Sequence, residues 1–309
     1  MTKVFIDGKS GTTGLRLAER LENRRDLQLL TLPEDARRDP AARADMLNAA
    51  DVAFLCLPDD AAVQAAGLVE NGRTALIDTS TAHRVDPAWC YGMPELPGRR
   101  DQIRNSRRIA NPGCHASGVI ALLAPLLAAG LLPPEADLSI TSLTGYSGGG
   151  RKMIADYEMV GRPLQMEGGR LYALSQHHKH MPEILANCPG LQKAPVFHPI
   201  VTPCYAGMLV IAGLHAGQLT GPAARVKEVY EDFYRGSRLI RFVPDLQEEG
   251  FVSSAALAGR DLMEISVSGS DTHLTLMARF DNLGKGASGA AIQNMNLILG
   301  LDEAEGLAL

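Results

Sequence analysis

The sequence predicts an α/β chain: a doubly wound parallel sheet, followed by an α+β domain on a mainly antiparallel sheet. In the first half, short runs apolar on both faces alternate with helical periodicities; in the second, strands alternate apolar with polar residues. Strands of the first kind belong between two layers of helices, and strands of the second face a core on one side. Composition bounds both readings. The chain has 309 residues, 46% hydrophobic and 21% charged, which is globular usage and length enough for about two domains.

The elements follow in order. Residues 4–6 (Val-Phe-Ile) form a strand, a glycine turn follows, and Leu15, Leu17, Ala18 and Leu21 mark a helix. Residues 27–32 read as a strand, 41–50 as a helix, 51–57 as a strand ended by Pro58, 61–70 as a helix and 74–77 as a strand. The apolar stretch 118–132, interrupted by Pro125 and Gly130, is shorter than the roughly 18 residues a membrane span needs. It reads as a buried helix beginning near Ala116. After about residue 137 the pattern changes. Residues 196–201 and 208–214 are strands and 226–234 a helix. Met263, Ile265 and Val267 alternate with Glu264, Ser266 and Ser268, then turn at Gly269-Ser-Asp271 into 274–280, an antiparallel hairpin with one buried face. Residues 289–299 close the chain as a packed helix.

Charge and cysteines narrow the partners. Lys+Arg 30 against Asp+Glu 35 leaves a net charge of −5, no electrostatic footprint for nucleic acid or an anionic membrane surface. The apolar stretch before Asp7 is too short for a signal peptide. Five cysteines without a C-x-x-C pair fit neither a disulfide framework nor a zinc ribbon. The expectation is a reduced, soluble, cytoplasmic protein without a metal. The 31 glycines point to tight turns where backbone approaches ligands closely.

Gly8-Lys-Ser10-Gly11-Thr12-Thr13-Gly14 joins the first strand to the first helix. This is the Rossmann-type arrangement: glycines permit a tight turn and close backbone approach to a pyrophosphate, and the helix N-terminus supplies amides and positive dipole. Ser10, Thr12 and Thr13 add hydroxyls. Beyond the second strand, Glu34 and Asp35 are followed by Arg37 and Arg38. The paired arginines favour a 2′-phosphate and hence NADP over NAD, against an ordinary charged loop.

Among the cysteines, Cys114 stands apart. It follows Asn111-Pro-Gly just before the buried helix, and a thiol at a helix N-terminus has a depressed pKa and a larger thiolate fraction. Gln176-His177-His178-Lys179-His180-Met-Pro-Glu183 clusters three imidazoles. Metal ligation competes there, but proton transfer beside a nucleophilic cysteine is the better pairing. His83, His115, His198, His215 and His273 read as structural. Thr144-Gly-Tyr-Ser147-Gly148-Gly149-Gly150-Arg151-Lys152 is either a cradle for an anionic group or a flexible loop between domains.

Together these segments resemble a known family, the shorter subfamily of N-acetyl-γ-glutamyl-phosphate reductases within the aspartate-semialdehyde dehydrogenase superfamily. The resemblance runs along nearly the whole chain. It rests on the Gly8–Gly14 turn, Asp78-Thr-Ser80-Thr-Ala-His-Arg84, Tyr91-Gly-Met-Pro94-Glu95, Asn111-Pro-Gly-Cys114, Gly145-Tyr-Ser-Gly-Gly-Gly150, His178-Lys-His180-Met-Pro-Glu183 and Asp281-Asn-Leu-Gly-Lys-Gly-Ala287. It implies an NADPH-dependent, phosphate-releasing reduction of N-acetylglutamyl phosphate to the semialdehyde, through a thioester on Cys114, in arginine biosynthesis. The resemblance puts the acid/base on His178 or His180 and the leaving phosphate on Ser147, Gly148 and Gly149, with Arg84 or Arg151; Glu183 belongs to the substrate side. Ser80, Pro94, Asn282, Lys285 and Gly286 would lie along the cofactor, because the family's last helix returns to the nucleotide domain. That gives 1–115 with 286–309 as the dinucleotide-binding domain and 116–285 as the catalytic and oligomerisation domain. A homodimer or homotetramer is implied in the same way. His115 departs from relatives that carry Tyr there. The competing readings are an aspartate-semialdehyde dehydrogenase-like enzyme on another acyl phosphate, a Cys–His acyl hydrolase, and a non-catalytic dinucleotide-binding module.

Overall fold

Six parallel strands carry the first unit, Met1–Gly113 with Ala287–Leu307, of the computed structural model, which describes residues 1–309 apart from the Arg38 side chain. In chain order they are β1 (Thr2–Asp7), α1 (Thr12–Leu21), β2 (Leu27–Leu30), α2 (Pro40–Ala49), β3 (Val52–Leu55), α3 (Asp59–Gly67), β4 (Ala75–Asp78), β5 (Cys90–Tyr91), α4 (Arg99–Asn105) and β6 (Arg108–Ala110). The order β2-β1-β3-β4-β6-β5 reverses direction between β1 and β3. That is where doubly wound sheets open a crevice at the strands' C-terminal ends. Apolar runs on both faces find cores on both. Val4, Ile6, Val52, Phe54 and Ile77 pack with Leu17 and Leu21 of α1, while Phe5, Ala53, Leu55 and Leu76 pack with Leu47 of α2 and Ala62 and Ala65 of α3. β2 ends at Leu30 rather than 32, because Pro33 lacks the N–H that would extend the ladder.

The second unit, Cys114–Gly286 with Ala308–Leu309, is a mixed sheet. It contains α5 (Cys114–Ala128), β7 (Ser139–Gly145), α6 (Gly150–Glu158), β8 (Arg170–Leu171), α7 (Met181–Asn187), β9 (Val196–Thr202), β10 (Met208–His215), α8 (Arg225–Phe233), β11 (Ile240–Phe242), β12 (Met263–Gly269) and β13 (His273–Phe280). The order is β11-β12-β13-β10-β7-β9-β8. The pairs β12/β13, β13/β10, β10/β7 and β9/β8 are antiparallel, and β11/β12 and β7/β9 are parallel.

The β12/β13 hairpin corrects the expectation of a single buried face. Glu264 and Arg279, on its polar side, are buried as well and pair at 2.9 Å. Arg241 and Glu248 extend the network, and Leu246 packs over Leu209 and Met277. Alternation there separates an apolar core from a paired-charge layer, not protein from water. The last helix, α9 (Gly289–Ile298), returns to the first unit. Its Ala291, Ile292 and Met295 enter the β1/β3 core, and Asn294 donates to Gly92 O at 2.9 Å. Among the described residues no helix is long and apolar enough to cross a membrane.

α5 is buried almost all round despite Pro125 in its fourth turn. Pro125 has no N–H for the Ala121 carbonyl. The Tyr234 hydroxyl donates to that oxygen at 2.7 Å, and Tyr230 of α8 donates to Leu122 O at 2.7 Å. Tyr234→Phe orphans a buried carbonyl and is expected to cost about 1–2 kcal/mol in denaturant unfolding. The cost shrinks in a Pro125→Ala background, where the helix amide takes over; an equal cost in both backgrounds refutes the account.

Candidate active site

The glycine turn of the first unit tests directly whether a dinucleotide fits. Gly8 has φ +88, and a Cβ there would meet Cys56 O at 2.2 Å; a Cβ on Gly14 would meet Gly8 O at 2.4 Å. The protein's own backbone demands those two glycines. Gly11 differs: its nearest atoms would be Gly8 O at 3.4 Å and Cys56 O at 3.7 Å, ordinary contacts that alanine tolerates. Gly11 is also the N-cap of α1 without a side-chain cap, so the first amides of the helix lack intrahelical partners. The Thr12 hydroxyl is buried with no hydrogen-bond partner among the described residues. An open cradle of amides and hydroxyls beside a residue kept small for no internal reason fits a pyrophosphate. Ser10 and Thr13 flank it on the turn and the first turn of α1.

Further along the same sheet edge, Arg37 pairs with the exposed Glu34 at 3.3 Å; the Arg38 side chain lies outside the described residues. Ser80 and Pro94 follow β4 and β5 at their C-terminal ends. Ser80 donates to Asp78 Oδ2 at 2.7 Å, and His83 Nδ1 meets the same oxygen at 2.6 Å while its ring stacks on Trp89 at 3.9 Å. Arg84 donates to Asn111 O at 3.0 Å and Thr79 O at 3.1 Å. It thus braces the segment leading to Cys114. Sequence reading missed Arg43, whose guanidinium holds the buried Asp7 carboxylate at 2.8 and 3.1 Å next to Gly8.

In the second unit Cys114 is the first residue of α5, half-buried, where the helix was expected only near Ala116. The helix therefore begins on the thiol itself, which places the dipole's positive end at the sulfur. Gly286 packs directly against it: a Cβ there would lie 3.0 Å from the Cys114 Cβ. Gly286 and Lys285 belong to a π-helical turn, Gly284–Ser288. Burial pushes the Cys56 and Cys188 thiols up to about 12 and raises Cys90, which makes them poor nucleophiles.

The histidine cluster sorts by burial. His178 and His180 are buried, and His177 and Lys179 are exposed. Gln176, at φ +62, pairs its amide with the Phe197 backbone at 2.8 and 3.1 Å, which pins the loop beside β9. The rings of His178 and His180 stand 4.8 Å apart, and the His180 backbone N–H donates to His178 Nδ1 at 3.2 Å. That contact leaves the proton of a neutral His178 on Nε2. Glu183 is buried, with Oε1 4.0 Å from His180 Nε2. His115 joins the group: Nδ1 meets Ser142 Oγ at 2.7 Å, Nε2 meets Tyr172 OH at 2.8 Å, and its ring lies 5.3 Å from that of His178. Neither Ser142 nor Tyr172 carried a sequence signal, being 27 and 57 residues from His115.

Burial drives His115 down to about 3 and His178 to about 4, with Lys179 adding to both. Each is neutral in the fold and takes up a proton on unfolding below its ordinary value of 6.5. The unfolded state then binds more protons, so stability drops as pH falls from 6.5 toward 4. Tm measured across that window is expected to decline, and His115→Phe to show a shallower decline. Parallel curves would contradict it.

The loop after β7 is packed by the protein itself on most sides. Ser147 is buried, its N–H donates to Tyr205 O at 3.0 Å, and its hydroxyl accepts from Asn282 Nδ2 at 3.0 Å. Asn282 Oδ1 accepts from Gly207 N–H at 2.9 Å. A Cβ on Gly149 would strike Met153, whereas on Gly148 it would make contacts no closer than 3.4 Å. Arg151 lies in the first turn of α6. The structure thus groups Ser147, Gly148, Gly149, Arg151, Asn282, Lys285, Gly286 and Glu183 with Cys114 and the histidines in one unit, and Gly8–Gly14, Arg37, Ser80, Arg84 and Pro94 in the other.

Comparison with known proteins follows the same division. The family described as "Semialdehyde dehydrogenase, NAD binding domain" matches residues 33–106, and "Semialdehyde dehydrogenase, dimerisation domain" matches 114–282. N-acetyl-gamma-glutamyl-phosphate reductases of Brucella ovis and Brucella canis are each 46% identical over 308 residues, 96% of this chain and 99% of theirs. Two solved structures share the fold. Aspartate semialdehyde dehydrogenase II of Vibrio cholerae, complexed with ASA, has TM-score 0.72 at 17% identity, covering 97% of this chain and 98% of that one. Aspartate semialdehyde dehydrogenase with NADP from Candida albicans has TM-score 0.68 at 16%, again over 97% and 98%. Matching family domains over both halves, and near-half identity along almost the whole length, place this chain in the semialdehyde dehydrogenase family, among the N-acetyl-gamma-glutamyl-phosphate reductases.

Proposed function

We infer that this protein reduces N-acetyl-L-glutamyl 5-phosphate to N-acetyl-L-glutamate 5-semialdehyde with NADPH, releasing inorganic phosphate, as a step of arginine biosynthesis. The observation that carries the inference is Cys114 as the opening residue of α5, in a chain 46% identical along its length to reductases of that name. The Cys114 thiolate, favoured by the helix N-terminus, attacks the acyl carbon. A C–S bond forms, the C–O bond to phosphate breaks, and a thioester remains. His178 is the acid/base group we assign: its Nδ1 is occupied by His180 N–H, so Nε2–H is the donor to the acyl oxygen as charge builds there. His180 and Glu183 form the substrate side. Ser147, Gly148 and Gly149, with Arg84 or Arg151, are assigned to the phosphate. NADPH, when bound, supplies the hydride; the turn Gly8–Gly14 holds its pyrophosphate, Arg37 and Arg38 its 2′-phosphate, and Ser80, Pro94, Asn282, Lys285 and Gly286 its remaining length.

The test runs the reaction backward. With N-acetylglutamate semialdehyde the enzyme is expected to reduce NADP only when inorganic phosphate is present, and to turn over aspartate semialdehyde far more slowly. A preference for aspartate semialdehyde moves the assignment to another acyl phosphate, and turnover without phosphate points to hydrolysis. We also assign the chain a cytoplasmic setting and a homodimer or homotetramer. The dimerisation-domain description of residues 114–282 supports the assembly. Light scattering on a sizing column checks it, and a monomeric mass at micromolar concentration overturns it.

A further inference from the structure

Asp7 ends β1 immediately before Gly8 and is buried. A carboxylate is a poor neighbour for a pyrophosphate, and this one is not left bare. Arg43 of α2 places Nε 3.1 Å and Nη2 2.8 Å from the same oxygen, Oδ2. The strand register explains why the two meet. β1 and β2 run parallel, from Thr2 beside Leu27 to Phe5 beside Leu30. Continued two residues further, that register brings Asp7 level with Leu32, past the end of β2. Phe5 and Asp7 point to one face of the sheet, the face that Leu32 and Leu47 of α2 cover. Arg43 stands one helical turn before Leu47. The guanidinium therefore sits at the carboxyl ends of β1 and β2, where doubly wound folds place the ribose of the adenosine half.

Three features of this corner favour a phosphate on that ribose over a free hydroxyl. Residues 27–33 carry no acid to accept from a 2′-hydroxyl, and the first acid after them, Glu34, is exposed and pairs with Arg37 at 3.3 Å. Both Arg43 bonds go to one carboxylate oxygen, which leaves the Nη1 corner of the fork unused. Nη1 has no partner among the described residues and is not one of the sealed, unsatisfied polar atoms. The side chain is also held in place, 13% exposed against 45% for Arg37, so it loses little freedom on meeting an anion. We propose that Arg43 is a specificity-determining residue for the nicotinamide cofactor: anchored on Asp7, it presents Nη1 to the 2′-phosphate and selects NADPH over NADH. Arg37 and Arg38 supply charge from the loop after β2, and Arg43 supplies a fixed donor. The proposal deepens the NADPH reading and rests on the 8–14 turn being the cofactor's cradle.

The test is a binding measurement and needs no turnover. Kd values for NADPH and NADH are taken by fluorescence titration at about 0.5 M salt, where a screening length of about 4 Å removes the pull of distant charges. Wild type should prefer NADPH. Arg43→Met should weaken NADPH about tenfold or more, the scale of one charge-assisted bond to phosphate, and leave NADH within about twofold. Arg43→Lys should fall between the two, because an ammonium cannot serve Asp7 and a phosphate from one fork. Replacing NADPH by 2′,5′-ADP and NADH by ADP should repeat the pattern without the nicotinamide. Arg43→Met also strands a buried carboxylate. If that protein does not fold, Asp7→Asn/Arg43→Met is compared with Asp7→Asn, which keeps an oxygen for Nε. A role confined to the fold weakens both dinucleotides alike, so equal losses for NADPH and NADH overturn the proposal, as does an unchanged preference. Wild type that binds neither dinucleotide overturns the cofactor reading itself. Wild type that prefers NADPH, with a variant that keeps the preference, overturns only the role of Arg43.

Discussion

Cys114→Ala is expected to abolish reduction, with kcat down by at least about 10⁴-fold, the scale on which removing a covalent nucleophile acts. NADPH affinity should change little, because the glycine turn belongs to the first unit and alanine keeps the Cβ against which Gly286 packs. Removal of the side chain also leaves the fold intact: Cys114 is half-buried at a helix start, and alanine is a good helix former. Circular dichroism should therefore match wild type, and NADPH titration should give a Kd within about threefold. The contrast with the other cysteines sharpens the test. Cys56 and Cys188 sit near 12 through burial, so Cys188→Ala should retain turnover. Appreciable reduction by the Cys114→Ala protein would sink the thioester route.

The glycine turn provides the second large effect, and it separates two roles that one motif combines. Gly8→Ala places a Cβ 2.2 Å from Cys56 O at φ +88; neither backbone yields easily, and the expected destabilisation is about 3 kcal/mol or more. Gly11→Ala meets nothing closer than 3.4 Å, so Tm should stay within about 2 °C of wild type. NADPH binding should nevertheless weaken about tenfold or more, since the methyl occupies the surface a pyrophosphate must approach. The pair is measured by thermal unfolding and by fluorescence titration. A Gly11→Ala protein that binds NADPH normally would mean the cradle lies elsewhere.

Much of this molecule was legible one-dimensionally. The runs 4–6, 51–57 and 74–77 read as strands of a parallel sheet because burial on both faces leaves no polar alternation, and they became β1, β3 and β4. The 8–14 turn, Asn111-Pro-Gly-Cys114 and the 178–183 segment were visible because each is local: glycine, proline and cap chemistry act over a few residues. The short strands β5, β6, β8 and β11 left little trace, since two or three residues cannot display a period. The polar side of β12/β13 misled for a different reason. Glu264 and Arg279 have the pattern of a solvated face, and only their mutual neutralisation lets that face be buried.

By itself the sequence determined the doubly wound first sheet, the mainly antiparallel second one and the family, and it singled out Cys114 as the candidate nucleophile, because these rest on periodicity and on motifs contiguous in the chain. Tertiary structure alone decided that burial pushes His115 and His178 toward the neutral form, that the His180 amide occupies His178 Nδ1, that His115 packs against His178, and that Tyr172 and Ser142 bracket its ring. It also decided which of three spaced glycines is free of internal demand. The physical reason is common to all of these. Burial and hydrogen-bond partnership are properties of neighbours in space, and residues 115, 142, 172 and 178 become neighbours only when β7, β9 and the start of α5 pack together.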